Sequence, residues 1–353
     1  MEIPDRVLII QTAFLGDVIL TIPLARAVHR ELPGSTIDLV TIPSAAGIIE
    51  SHPDIRRVII FDKRQKDSGV SGFLRIAAQL RGEKYGIALV PHRSLRSALL
   101  ARWAGIPRRV GSDRSQGRWL FTDVVAYNPD LHEIRRNLSL LDPLGISSLP
   151  PTRPNLFPQE ESIRMVDRQL LEAFGAERPR LIAIAPGTAW QTKQWLPERF
   201  AETAGRLVRE GFGVVLIGGN EDRRLCEDIE RGASSSIHSF AGKLTLAGSA
   251  ELLRRCMLLI TNDSAPLHMA DAVGTPVLAI FGATIPEFGF GPFYAPENVL
   301  QVQGLGCRPC SIHGGKRCPI GTFDCMAGIT VEMVTDAALT ILKGGGEPRP
   351  GGR

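Results

Sequence analysis

The sequence predicts an α/β protein built from two Rossmann-like halves, each a parallel sheet with helices, facing each other across a cleft. Three observations lead there. Short β-branched runs alternate with longer amphipathic stretches, the pattern of βαβ units. The alternation breaks at residues 147–161, where Ser-Ser-Leu-Pro-Pro-Thr-Arg-Pro-Asn-Leu-Phe-Pro carries four prolines and neither period, and then it restarts. With 353 residues, 44% of them hydrophobic, the chain is long enough for about two domains with their own cores. The expected divisions are 1–150, 151–343 and a Gly/Pro-rich tail, 344–353, expected to be disordered.

In the first half the expected strands are Arg6–Gln11, Thr36–Ile42, Val58–Phe61 and Ile87–Pro91, with helices between them. In the second half Leu181–Ala185, Val214–Ile217, Leu258–Thr261 and Val277–Phe281 read as strands. Helices are expected there at Pro197–Glu210, Glu221–Arg231, Ser249–Arg254 and Ala265–Val273. The apolar stretch Val7–Ala25 contains Gln11 and Asp17 and follows Glu2 and Asp5, so it reads as neither a secretory signal nor a spanning helix. Composition excludes disorder, collagen and a disulfide-stapled miniature fold. Six cysteines, four of them between Cys307 and Cys325, point to a reducing, cytosolic compartment.

The net charge of +4 is unevenly placed: residues 1–150 hold 20 basic and 15 acidic side chains, the remainder 21 and 22. Much of the excess lies between Ala88 and Leu120, where Arg93, Arg96, Arg102, Arg108, Arg109, Arg114 and Arg118 face Asp113 alone. This is an anion-facing patch or a solvated surface. With few aromatics interleaved, a phosphorylated or carboxylated ligand fits it better than nucleic acid.

Four loops at strand ends carry the chemistry, because ligands of open α/β sheets bind at the carboxyl ends of strands. In the first, Gly16 permits close backbone approach and Asp17 is a helix cap or a catalytic carboxylate; Pro23 places the start of the regular helix near Thr21. With an ordinary carboxyl pKa near ~3.9, Asp17 is expected to be ionised at neutral pH. The second runs Pro186-Gly187-Thr188 to Lys193, offering backbone and hydroxyl donors and a mobile ammonium for a pyrophosphate; Trp195 reads as core. In the third, Asp263 or Ser264 caps a helix beginning at Ala265-Pro266, whose free amides suit an anion, with His268 one turn in as a further donor or a packing residue. The fourth, Gly218-Gly219-Asn220-Glu221-Asp222, offers Glu221 to ribose hydroxyls or as a cap. The cysteines Cys307-x2-Cys310, Cys318 and Cys325 fit structural zinc, reduced thiols or a disulfide.

Together, Leu15-Gly16-Asp17-Val18, Pro186-Gly187-Thr188 through Lys193-Gln194-Trp195, Asn262-Asp263-Ser264 with His268, and the cysteine-bearing tail resemble the family 9 glycosyltransferases, the lipopolysaccharide heptosyltransferases. The likeness runs from Arg6 to about Leu342, and its Asn262-Asp263-Ser264 and Pro186-Gly187-Thr188 forms look more like heptosyltransferase II than I. Ala265-Pro266 departs from the Gly-apolar pair of many members, and Ala189 from the second Thr of heptosyltransferase I. The resemblance implies a GT-B fold with the acceptor on the N-terminal half and the nucleotide sugar on the C-terminal half. It implies inverting transfer from ADP-L-glycero-D-manno-heptose to the lipopolysaccharide inner core, without a cofactor or metal. Asp17 and Lys193 would be catalytic; Thr188, Glu221, Asp263, Ser264, Ala265 and His268 would hold the donor; Arg93, Arg96 and Arg118 would hold the acceptor. The implied partners are ADP-heptose and a lipid-linked inner-core oligosaccharide, met in the cytoplasm, with peripheral contact at the inner membrane surface and no nucleic acid.

Overall fold

The computed structural model describes residues 4–176, 179–231 and 236–344, so all but the first residue of the expected tail lies outside the described residues. The chain forms two compact units, Met1–Phe157 and Pro158–Arg353, whose boundary falls inside the proline-rich stretch.

The first unit is a six-stranded parallel sheet: β1 (Arg6–Ile10), β2 (Thr36–Thr41), β3 (Arg57–Ile60), β4 (Ile87–Val90), β5 (Arg108–Ser112) and β6 (Asp123–Val125), in the order β3-β2-β1-β4-β5-β6. Its helices are α1 (Leu15–Ile19), α2 (Ile22–Glu31), α3 (Pro43–Ala46), α4 (Gly69–Gly82), α5 (Leu95–Trp103) and α6 (Glu133–Leu138). Central strands β1 and β4 are uninterrupted apolar runs because helices cover both faces, and Val7 pairs with Ile37 on one side and Ile87 on the other. Strand order reverses direction at β1, so the loops after β1 and β4 diverge and leave room for a ligand.

Strands β5 and β6 were not legible as such, and they revise the arginine patch. Arg108 lies on β5, forked onto Asp123 of β6 at 3.1 and 3.2 Å and bonded to the Pro143 carbonyl. Arg109 donates to the carbonyls of Leu120, Ile106 and Pro107. These two arginines knit the sheet edge and do not face an anion. Gly111 is required there, since a Cβ would lie 2.2 Å from the Phe121 ring.

The second unit repeats the pattern: β7 (Arg180–Ala185), β8 (Phe212–Leu216), β9 (Ile237–Ser239), β10 (Leu258–Asn262), β11 (Val277–Phe281) and β12 (Val299–Gln301), in the order β12-β11-β10-β7-β8-β9 and all parallel. Its helices are α7 (Glu160–Phe174), α8 (Pro197–Arg209), α9 (Arg223–Arg231), α10 (Leu246–Arg254), α11 (Ala265–Val273), α12 (Asp324–Ala327) and α13 (Val331–Gly344). Trp195 is fully buried edge-on to Phe200 and donates from Nε1 to the Ile329 carbonyl, so it is a core residue. Among the described residues no helix is long and apolar enough to cross a membrane.

Candidate active site

In the first unit, the end of β1 is braced from within. Gln11, buried, accepts from the Ala13 amide and donates to Thr21 Oγ1, and Thr21 in turn donates to the Asp17 carbonyl. Thr21 stands at the N-cap of α2 with Pro23 in its first turn, so the regular helix starts where the sequence indicates and Asp17 sits in the separate single turn α1. Asp17 Oδ2 accepts from the Phe14 amide at 3.2 Å, a reverse cap across that turn.

The expectation of an ordinary Asp17 is corrected by its surroundings. Burial, and then the charge of Glu133, push its carboxyl up to about 7, against the lowering effects of the Phe14 amide and Arg93. Its carboxyl therefore holds a proton to a higher pH than that of an exposed aspartate.

Arg93 follows β4 and stacks on the Tyr127 ring at 4.9 Å, while Arg136 covers the same ring at 4.6 Å. Together with Ser112, Glu133 and Asn137 they line one pocket. Arg136 is committed to Glu133 and to the carbonyls of Asn128 and Pro129, whereas Arg93 has no ion-pair partner among the described residues. Arg96 is exposed on α5, and Arg118 is exposed on a 3-10 turn, Arg118–Leu120, in a segment hung from the Arg93 carbonyl by the Gln116 amide and Ser115 hydroxyl.

Sequence reasoning missed two neighbours. Lys63, just past β3, donates to the Thr12 carbonyl at 2.6 Å, and its pKa is lowered by burial and by Arg96 and Arg64. His92, after β4, is pushed down to about 4 by burial, Lys63 and Arg93, so it is neutral and its Nδ1 lies 3.0 Å from Thr12 Oγ1 and 2.9 Å from Ser97 Oγ. Their position at strand ends was the available signal. With Arg93 and Arg96, Lys63 makes the end of this sheet electropositive around Asp17's loop.

In the second unit Asn262, at the end of β10, is the clasp: its Nδ2 donates to the Pro186 carbonyl and its Oδ1 accepts from the Trp195 amide, both at 2.9 Å. Lys193, in a 3-10 turn after β7, is not mobile as expected but held, with Nζ 2.5 Å from Asp263 Oδ2, which also accepts from Thr284 at 2.6 Å. Ser264 occupies the N-cap of α11, yet neither it nor Asp263 caps with a side chain; Pro266 carries no N–H and the Leu267 amide donates to the Ser264 carbonyl, which leaves the Ala265 amide for an anion. Ala265 opens the helix, and His268 is buried one turn in, edge-on to Phe290 at 6.4 Å. Thr188 Oγ1 accepts from the Trp190 amide at 3.5 Å.

The cap expected as one role of Glu221 is taken by its neighbour. Asp222 accepts from the Gly219 amide at 2.9 Å and fills the space beside Gly187, where a Cβ would lie 2.0 Å from its Oδ1. Glu221 is exposed on the same turn, leaving its carboxylate accessible for ribose hydroxyls. The loop between the cysteines folds back on the Lys193 turn: the Gly315 amide donates to Thr192 Oγ1 and the Thr192 amide to the Gly315 carbonyl. All six cysteines are free thiols, and among the described residues no three His, Cys, Asp or Glu side chains form a metal's ligand set.

Each unit thus brings polar and charged side chains to the carboxyl ends of its strands, where ligands of open α/β sheets bind. The model of glycosyltransferase family 9 (heptosyltransferase) matches residues 73–317, more than half of the chain, and the protein belongs to that family. It is a glycosyltransferase of GT-B class. Similar chains include lipooligosaccharide heptosyltransferase 2 of Haemophilus influenzae, 26% identical over 297 residues covering 80% of this chain and 85% of that one. Lipopolysaccharide heptosyltransferase 1 of Pseudomonas aeruginosa is 28% identical over 323 residues, 86% of each chain. The crystal structure of a family 9 glycosyltransferase from Veillonella parvula superposes with a TM-score of 0.87 at 25% identity, covering 98% of this chain and 99% of that one.

Proposed function

We propose that the protein transfers L-glycero-D-manno-heptose from ADP-heptose, with inversion, to the heptosylated inner core of lipopolysaccharide, the reaction of heptosyltransferase II. The observation that carries this reading is Asp17: a carboxylate on a braced single turn at the central strand end, with a pKa raised to about 7 by burial and Glu133. That value suits a general base at neutral pH, where a group must be partly ionised and still hold a proton well. Asp17 takes the proton of the acceptor hydroxyl as its oxygen attacks the anomeric carbon opposite the leaving ADP. Lys193, already positioned by Asp263, and the Ala265 amide at the start of α11, with Ser264 and His268, offset the charge growing on the diphosphate. Thr188 and Glu221 hold the nucleotide, and the N-terminal unit takes the acceptor.

Arg93, Arg96 and Arg118 are assigned to the acceptor's carboxylates and phosphates, and Lys63 joins them on its position beside Thr12. The reading places the enzyme in the cytoplasm, working on a lipid-linked oligosaccharide at the inner membrane surface. Its resemblance to both numbered classes leaves the choice of acceptor to the Asn262-Asp263-Ser264 and Pro186-Gly187-Thr188 forms, which favour the second transfer. Incubation with ADP-heptose and a heptosylated inner-core acceptor tests it: the product gains the mass of one heptose, and an acceptor lacking heptose gains none. Gain only on the latter assigns the first transfer. Free sugar or epimer released without acceptor makes it an epimerase or phosphorylase, and ADP binding without turnover makes it a binding protein.

A further inference from the structure

We propose that Glu133 is a positioning residue for the transfer: α6 sets its buried carboxylate, paired with Arg136, where a fixed negative charge acts on Asp17. The inference rests on the reading of Asp17 as the proton acceptor.

Three placements support it. Glu133 and Asn137 are one helical turn apart, so they share a face of α6. Asn137 Nδ2 donates to the carbonyl of Leu20, the residue that closes α1, at 3.0 Å, docking that face on the turn that bears Asp17. Glu133, Arg136 and Asn137 are 6%, 7% and 2% exposed, and all three line the pocket that also contains Arg93.

The pairing itself is local and directional. Arg136 Nη1 donates to Glu133 Oε2 at 3.0 Å, while its other nitrogens are tied to the carbonyls of Asn128 and Pro129 and its plane to Tyr127. The guanidinium thus anchors the carboxylate in place. An ion pair buried to this degree contributes little net stability over apolar packing of the same shape, so its cost asks for another use. The charged groups acting on Asp17 are Glu133 from α6, which raises its pKa, and Arg93 from the β4–α5 loop, which lowers it. Burial contributes most, and Glu133 adds to it.

The experiment compares pH–rate profiles, with ADP-heptose and heptosylated inner-core acceptor, for wild type, Glu133→Gln, Glu133→Gln/Arg136→Gln and Asp17→Asn. The double variant leaves no buried guanidinium unpaired and serves if the single one does not fold. Removing the Glu133 charge moves the acidic limb down by about one pH unit, the usual effect of one nearby charge, and leaves plateau turnover within severalfold of wild type. The titration of Asp17, followed by carboxyl-carbon NMR without substrate, moves in the same direction. An unmoved limb and an unmoved Asp17 titration in the Glu133 variants overturn the inference while the role of Asp17 stands. Loss of turnover in Glu133→Gln to the level of Asp17→Asn also overturns it, since Glu133 would then take the proton itself. An Asp17→Asn variant with wild-type turnover and an intact acidic limb removes the proton-acceptor reading instead.

Discussion

Replacing Asp17 by Asn separates a catalytic carboxylate from a helix cap, because Asn can still accept from the Phe14 amide. Turnover should fall by on the order of 10² to 10⁴, the weight of a general base, with ADP binding retained. Stability should change in the opposite sense. A carboxyl raised from 3.8 to about 7 keeps its proton in the folded chain over a range where the unfolded chain has lost it. Wild-type stability therefore declines as pH rises from near 4 to near 7, and Asn removes that decline. At about 1.4 kcal/mol per pH unit the full effect would be roughly 4 kcal/mol, and partial solvent access of Asp17 reduces it to about 2. In a unit of this size that is a rise in thermal midpoint of about 4 to 8 °C at pH 8, with almost none at pH 4. Scanning calorimetry of both proteins at those two pH values, beside the heptose-transfer assay, reads both quantities. A midpoint difference equal at the two pH values refutes the raised carboxyl, and unchanged turnover returns Asp17 to a cap.

Lys193→Ala should reduce kcat/KM for ADP-heptose by roughly 3 kcal/mol, as for one electrostatic donor, and Arg should not fully restore it because a planar fork cannot take the place of a point charge without repositioning; unchanged kinetics place Lys193 outside the reaction. Gly187→Ala drives a methyl into Asp222 and should lower stability by about 1 to 3 kcal/mol and weaken ADP binding, both readable by calorimetry with and without ADP. The triple change Arg93→Ala, Arg96→Ala, Arg118→Ala should raise acceptor KM and flatten its salt dependence while the KM for ADP-heptose holds; single changes should show little, each exposed charge contributing about 0 to 1 kcal/mol. A wild-type salt slope in the triple variant makes the patch solvated surface.

The central strands were legible because burial on both faces writes them as apolar runs: Val7 to Ile10 and Leu258 to Thr261 admit little else. The edge strands β6, β9 and β12 and their neighbour β5 were not, since Arg108 and Arg109 on β5 and the three-residue β9 and β12 look like surface until their partners are known. The candidate loops could be read from the sequence because they follow the legible strands, and strand ends are where ligands of such sheets bind. What each residue does there was less accessible. The basicity of Asp17 comes first from burial and then from Glu133, far along the chain, and Lys193 is held by Asp263, a pairing that spacing does not encode. Choosing Glu221 over Asp222 as the cap was a matter of one position, decided by which carboxylate fits beside Gly187. Lys63 gains its meaning only from the Thr12 carbonyl it reaches, a contact between distant strand ends that the sequence does not encode.

The Lys193 turn hangs from parts of the chain made long after it. Thr192 exchanges two hydrogen bonds with Gly315, Trp195 donates to Ile329, and Arg199 reaches the carbonyls of Ala327 and Ile329. On a ribosome, the loop that would grip the diphosphate stays unfinished until residue 329 has left the exit tunnel. A nascent chain halted before that point could complete its first unit and still leave that turn without its anchors.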